Sequence, residues 1–154
     1  DFESTPTNTI NGFSDRLKTL MPSLYSHKSY EGGFFQSVDK GISIVKVIQH
    51  IALELQNLAG IQTEFSRIEQ TDKIGVYNFV FSFIDEDAGM YAALASVEIV
   101  EALIKGKPYF IRHDIDRLKC LFEQNRTLKQ TIKAAEKVPY FKLNNQPVQL
   151  SRVV

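Results

Sequence analysis

The chain has no tryptophan, a single cysteine and no excess of either charge sign. Among its 154 residues, 18 basic side chains balance 18 acidic ones, so no overall field attracts nucleic acid or an anionic membrane. The one cysteine, Cys120, excludes an intrachain disulfide, and its apolar neighbours predict a small core side chain. No apolar run is long enough to cross a bilayer.

The chain also opens without a secretory signal peptide, which favours a cytoplasmic protein. It begins at Asp1 and not at a methionine, so we expect a piece of a longer protein. Six tyrosines, eleven phenylalanines and 44% hydrophobic residues are typical of a folded globule, not of a disordered chain. The length predicts one domain.

One predicted helix, over residues 43–58, carries the candidate functional residues. Ser43 is its expected N-cap, and Gly60 follows its end. Most of the helix surface is apolar. At about 100° per residue, the polar side chains share one face: Lys46, Gln49, His50, Glu54 and Asn57.

The start of this face has the spacing of the inverted zincin motif, His-x-x-Glu-His. In that motif two histidines bind zinc and the glutamate acts as the base. Here Lys46 stands at the first histidine and Gln49 at the glutamate, while His50 is kept. A protonated lysine cannot ligate zinc, and an amide cannot accept a proton at neutral pH. We therefore expect no metal, no cofactor and no catalytic residue.

The remaining pattern predicts an α+β fold, in which a small mixed or antiparallel sheet packs on several helices. Residues 1–10 are expected to be flexible and without regular structure, and residues 11–154 to form the domain. Helices are expected over residues 14–24, 34–41 and 85–105, with Ser14 as the N-cap of the first. Residues 62–69 and 74–84 predict two strands joined by a hairpin.

The second of these strands is apolar on both faces, which predicts a central strand. Its aromatic row is expected in the core: Tyr77, Phe79, Phe81 and Phe83. Two helices are expected over 114–124 and 127–137, with Asp114 as an N-cap, followed by short strands at 140–143 and 148–151.

The order of short sequence blocks resembles the N-terminal domain of cyanophycin synthetase. The blocks are residues 20–24 followed by His27, then 32–35, 50–56, 58–60, 75–78, 80–81, 88–89, 91–92, 138–144 and 148–150. The resemblance covers residues 10–150 and implies part of an ATP-dependent ligase that builds an aspartate backbone carrying arginines. In such enzymes the N-terminal domain holds the polymer, while ATP-grasp and Mur-ligase-like domains perform the chemistry.

In some members the His-x-x-Glu-His helix also carries a zinc-dependent hydrolytic site, from which this sequence departs at Lys46 and Gln49. Lys46 could pair with a polymer carboxylate, and Glu54 with a guanidinium. Equally, the polar face could be the solvated edge of a buried helix. His27 and His113 are isolated in sequence and are expected at the surface or as caps. A basic cluster of Arg112, His113, Arg117 and Lys119 is expected to be a solvated face.

We interpret the chain as a non-catalytic domain that binds an aspartate–arginine polymer or a related charged peptide, or that docks onto ATP-grasp and Mur-ligase-like domains. Two alternatives stay open. One is a residual zinc-dependent hydrolase, and the other is a structural module that forms the homo-oligomer of a larger ligase. Nucleic acid and membrane are not expected partners.

Overall fold

A computed structural model describes residues 5–27, 31–73 and 76–136 of the chain. Five α-helices occur there: α1 (Phe13–Leu20), α2 (Phe34–Lys40), α3 (Ile44–Leu58), α4 (Glu86–Ile104) and α5 (Arg112–Glu136). Two strands, β1 (Ser66–Gln70) and β2 (Tyr77–Phe81), and two 3-10 helices, Thr7–Thr9 and Pro22–Ser26, complete the elements. This arrangement confirms the predicted α+β class.

Helix α3 is the structural centre, as its apolar pattern predicts. The Ser43 hydroxyl accepts a hydrogen bond from the Val45 amide at 3.3 Å, which caps the first turn. Fully buried side chains follow along the helix: Ile44, Val47, Ile51 and Leu55. Helix α4 packs against them with small buried residues, Ala88, Ala92, Ala95 and Ser96, which let the two helices approach closely. The polar face of α3 is thereby turned towards the Pro22–Ser26 turn and β1.

The sheet differs from the expected one. Strands β1 and β2 pair antiparallel from Ser66 opposite Phe81 to Gln70 opposite Tyr77, and within the described residues the sheet has no third strand. The prediction of a central strand is therefore wrong. The aromatic row is not core either, because Tyr77, Phe79 and Phe81 are half-buried and Phe83 is exposed. One neighbouring strand and one covering helix cannot bury both faces.

The C-terminal helical region is one helix and not the predicted two. Helix α5 runs unbroken over 25 residues, because residues 124–127 contain neither glycine nor proline to end it. Asn125, in this stretch, donates to the carboxylates of Asp85 at 2.9 Å and Asp87 at 2.8 Å. These bonds fix the middle of α5 to the start of α4.

Two residue predictions on α5 are also wrong. Asp114 is the third residue of the helix and not its N-cap; its carboxylate accepts a hydrogen bond from the Tyr91 hydroxyl at 2.9 Å. Cys120 is exposed, because it lies on the side of α5 opposite the buried Leu118. The predicted basic cluster is a solvated face, since Arg112, His113, Arg117 and Lys119 are all exposed.

Residues 7–9 have more regular structure than expected. Residues 7–9 form a 3-10 helix, and Thr7 is buried, with its amide donating to Ile42 O at 3.0 Å and its hydroxyl to Val38 O at 2.6 Å. Expecting no regular structure throughout residues 1–10 was wrong here. Helix α1 begins at Phe13, so Ser14 is not its N-cap. The helix ends before Met21, where the following proline disfavours helical geometry.

The strands predicted at 140–143 and 148–151 lie outside the described residues. Within the described part of the chain, no helix is both long and apolar enough to span a bilayer.

Candidate functional site

The polar face of α3 forms one wall of a cleft of about 810 Å³. The opposite walls are the end of the Pro22–Ser26 turn and the extended segment that leads into β1. The lining residues are Ser26, His27, Gln49, His50, Leu53, Glu54, Asn57, Thr63, Glu64, Phe65 and Ser66. Four of the five predicted site residues therefore meet there, and the fifth, Lys46, lies outside the lining.

His27 is the residue that organises the floor of this cleft. Its Nε2 lies 2.8 Å from Oε2 of Glu54, and its Nδ1 lies 2.8 Å from Nδ1 of His50. His50 and Glu54 are only 4% and 6% exposed, and the His50 ring also packs on Phe34 with centroids 4.6 Å apart. The three polar side chains form one buried hydrogen-bonded chain.

The proton positions in this chain follow from its geometry. A carboxylate only accepts hydrogen bonds, so Nε2 of His27 donates to Glu54. The contact between the two Nδ1 atoms holds one proton, because one nitrogen must donate and the other accept. When both rings are neutral, His50 donates this proton to His27.

Burial governs the charge of His50. Desolvation lowers its pKa to about 4, helped by the nearby positive charges of His27 and Lys46. Lys46 therefore lowers the pKa of His50, although by less than burial does. His50 is therefore neutral at physiological pH.

Glu54 stays ionised although it is buried. Burial raises its pKa, but hydrogen bonds from His27, Ser23 and Asn57 outweigh this effect and the net pKa is lowered. A carboxylate that accepts several hydrogen bonds is stabilised in its charged form. The alternative that the whole polar face is a solvated edge is therefore wrong for His50 and Glu54, and fits only the exposed Lys46 and Asn57.

Two further bonds attach the polar face to the start of β1 and to the segment before it. The Gln49 amide donates to the Ser66 hydroxyl at 2.6 Å, and Asn57 Oδ1 accepts from the Thr63 amide at 2.9 Å. These contacts fix both ends of the cleft wall. They also give Gln49 a structural partner, where the zincin motif would place a catalytic base.

Sequence reasoning missed His27 and Glu64 as site residues. His27 is 23 positions before His50, so no local spacing connects them. The only sequence signal was that His27 follows block 20–24 of the family resemblance. Glu64 lies in an irregular segment, where periodicity does not indicate which way a side chain points.

Comparison with known proteins identifies the family. The profile of the cyanophycin synthase-like N-terminal domain matches residues 1–105. The chain belongs to this family. Its curated relatives include the cyanophycin synthetases of Geminocystis herdmanii, 38% identical over 71% of this chain, and of Synechocystis, 37% identical over the same share. That of Trichormus variabilis is 33% identical over 91% of this chain.

The chain is much shorter than these cyanophycin synthetases. It spans 13% of the length of the Geminocystis herdmanii protein and 17% of the Trichormus variabilis protein. The comparison therefore shows membership of the N-terminal domain family, and it does not assign the activity of the longer relatives to this chain.

The zinc that the family resemblance implies for some members does not fit the residues found here. Lys46 and Gln49 occupy two positions of the metal motif, and both ring nitrogens of His27 are hydrogen-bonded, one to His50 and one to Glu54. Among the described residues, no group of three or more His, Cys, Asp and Glu side chains has an arrangement that could hold a metal ion.

Proposed function

We propose that this chain is a non-catalytic binding domain for a charged, peptide-like polymer. The cleft on α3 takes a positively charged side chain of the polymer, with a guanidinium as the group that fits best. The relatives are cyanophycin synthetases, and the polymer implied by the resemblance carries arginines on an aspartate backbone.

The observation that carries the proposal is the charge of the cleft. Its lining contains two carboxylates, Glu54 and Glu64, and no lysine or arginine. Glu54 is ionised and held by several donors, so its position is fixed before a ligand arrives. Charge-assisted hydrogen bonds from a guanidinium to carboxylates are among the stronger polar contacts in proteins.

Lys46 supplies the opposite charge beside the cleft. It is exposed on the same helix, one turn before His50. A polymer that alternates carboxylates and guanidiniums would place a guanidinium in the cleft and a carboxylate near Lys46. Each exposed ion pair contributes little, so useful affinity would come from repeated contacts along the polymer.

The chemistry of the site supports binding more than hydrolysis. Gln49 cannot act as a base, Lys46 cannot ligate a metal while protonated, and the low pKa of His50 makes it a weak base near neutral pH. The alternative of a residual zinc-dependent hydrolase therefore has little support.

Calorimetry with short aspartate–arginine oligomers tests the proposal. We expect Glu54→Gln and Glu64→Gln each to weaken binding several-fold, because each removes a carboxylate and keeps the side-chain size. Glu86→Gln is the matched control, since Glu86 is exposed on α4 away from the cleft. An oligomer with neutral citrulline in place of arginine should not bind. Equal binding of both oligomers would contradict the proposal.

The docking and oligomerisation alternative is supported by a different surface. Helix α4 exposes an apolar stripe of Met90, Leu94 and Val97, spaced to lie on one face. Sedimentation of the wild type and of Leu94→Glu tests it. A dimer that the substitution disrupts would favour this second function, and a monomer in both would count against self-association.

A further inference from the structure

A second cleft lies on a different part of the molecule and has the opposite charge. It has a volume of about 750 Å³ and is formed by α1 and the connection between α4 and α5. Its lining residues are Asp15, Arg16, Thr19, Leu20, Leu103, Gly106, Lys107, Pro108, Tyr109, Phe110, Ile111 and Arg112. It shares no lining residue with the acidic cleft on α3.

Apolar side chains dominate the walls of this second cleft. Leu103 is buried at the base, and Leu20 and Ile111 are half-buried beside it. Phe110 is 72% exposed at the edge, which is unusual for a large aromatic side chain. An exposed aromatic residue beside an apolar depression is typical of a surface that a partner covers.

The charged residues of the cleft are three cations against one carboxylate. Lys107 and Arg112 are exposed, and the single acid is Asp15. Arg112 lies 3.6 Å from Asp116, but both side chains are well exposed, so this pair holds the guanidinium only weakly. In a chain of zero net charge, the surplus of positive charge is local to this cleft.

Arg16 is held rigidly in the cleft wall. Its Nε donates to Leu103 O at 2.9 Å and its Nη2 donates to Asn11 O at 2.9 Å. The Leu103 carbonyl lies in the last turn of α4 and also accepts a hydrogen bond from the Gly106 amide at 3.3 Å. One hydrogen-bonded cation and two exposed ones therefore surround the apolar base.

We propose that this cleft is a docking surface for a protein segment that carries carboxylates next to apolar side chains. Charge complementarity selects the acidic residues, and the apolar base selects a leucine- or phenylalanine-like anchor between them. The cations come from three elements, α1, the connection and the start of α5, so the occupant must be an extended segment that spans them. Residues 107–112 also lie beyond the family match, which ends at residue 105.

The probe for the test is a fluorescein-labelled peptide, Gly-Asp-Leu-Asp-Phe-Asp-Gly, followed by fluorescence anisotropy at low salt. We expect it to bind, and we expect two altered peptides to bind at least several-fold more weakly. One has asparagine for each aspartate, and the other has alanine for leucine and phenylalanine. The aspartate–arginine oligomer should bind the same chain without competing with the peptide.

Protein variants then locate the binding. We expect the double substitution Lys107→Gln/Arg112→Gln to weaken peptide binding by about threefold to tenfold, and Phe110→Ala to weaken it by a similar factor. The matched control is Lys40→Gln/Lys73→Gln, which removes the same charge from exposed positions that do not line the cleft. Circular dichroism checks that every variant is folded.

Three results would overturn the proposal: no peptide binding at low salt, equal binding of the aspartate and asparagine peptides, or equal losses in the cleft variant and the control. Since Glu54 and Glu64 do not line this cleft, Glu64→Gln should leave peptide binding unchanged. Failure here is thus separable from failure of polymer binding on α3.

Discussion

Nδ1 of His27 lies 2.8 Å from Nδ1 of His50, and this contact joins the end of a 3-10 turn to the central helix α3. Nε2 of the same His27 ring is hydrogen-bonded to Glu54. One imidazole therefore bridges the neutral, buried ring of His50 and the ionised, buried carboxylate of Glu54. The charge of the cleft floor depends on this bridge.

The first prediction concerns acid stability. The pKa of His50 is about 4 in the folded chain, below its ordinary value of 6.5. As the pH falls below about 6.5, His50 becomes protonated in the unfolded chain but stays neutral in the folded chain. The free energy of unfolding therefore decreases with a slope set by this difference in bound protons. The stabilisation that depends on a neutral His50 is fully present above about pH 6.5. It falls by up to roughly 3 kcal/mol as the pH is lowered to about 4.

Urea unfolding at several pH values between these limits measures the effect. We expect His50→Gln to flatten the pH dependence of the unfolding free energy relative to wild type. His113→Gln is the control, because His113 is exposed on α5, and should follow the wild-type curve. An unchanged pH dependence in His50→Gln would show that other groups cause the acid instability.

The second prediction is that the purified chain carries much less than one zinc per molecule. Lys46 and Gln49 replace two residues of the zincin motif, and both ring nitrogens of His27 are hydrogen-bonded to His50 and Glu54. Metal analysis after a mild preparation measures this directly. Lys46→His/Gln49→Glu, which rebuilds the motif, is expected to bind zinc more tightly than wild type. A stoichiometric zinc in wild type that His50→Ala removes would contradict the prediction.

The third prediction places the stability of the fold in α3. Leu55 is fully buried, so Leu55→Ala should lower the free energy of unfolding by about 2–5 kcal/mol. Leu94→Ala removes the same atoms from a side chain that is 62% exposed. This substitution should change the free energy of unfolding by less than about 0.5 kcal/mol. Chemical denaturation compares them, and similar values for both would mean that α3 is peripheral.

These elements show where sequence reasoning succeeds. The α3 boundaries follow from Ser43, Gly60 and an apolar period that most of the helix obeys, and burial then enforces the same pattern. The start of α4 follows from Asp85, whose carboxylate accepts from the Ala88 amide at 3.2 Å. Local capping and periodicity are sufficient there because tertiary packing agrees with them.

In other parts of the chain, contacts between residues that are distant in sequence determine the structure. Periodicity did not reveal that, within the described residues, β2 pairs with β1 alone, or that Asn125 fixes the middle of an unbroken α5. At the site, spacing grouped Gln49, His50, Glu54 and Asn57 correctly because they share one helix. It could not find His27, since only tertiary folding brings a residue from another segment between His50 and Glu54.

The fourth prediction concerns a polar atom in the core. The side chain of Gln56 is fully buried, and its Oε1 has no hydrogen-bond partner among the described residues. A buried acceptor without a partner costs about 1–3 kcal/mol. Gln56→Met has a similar shape without that acceptor, so we expect it to raise the free energy of unfolding by about 1 kcal/mol. Gln56 Nε2 donates to Ala52 O at 3.3 Å, so a lower value would indicate that losing this bond outweighs removing the unpaired acceptor.

The proposed function is that α3 presents both charge signs to a polymer that carries both. Its most direct test is the affinity of aspartate–arginine oligomers of increasing length for wild type, Lys46→Ala and Glu54→Gln, each at low and high salt. We expect affinity that rises with length, falls with salt and is weakened by both substitutions. Affinity that is undetectable at low salt, or that neither substitution changes, would contradict it.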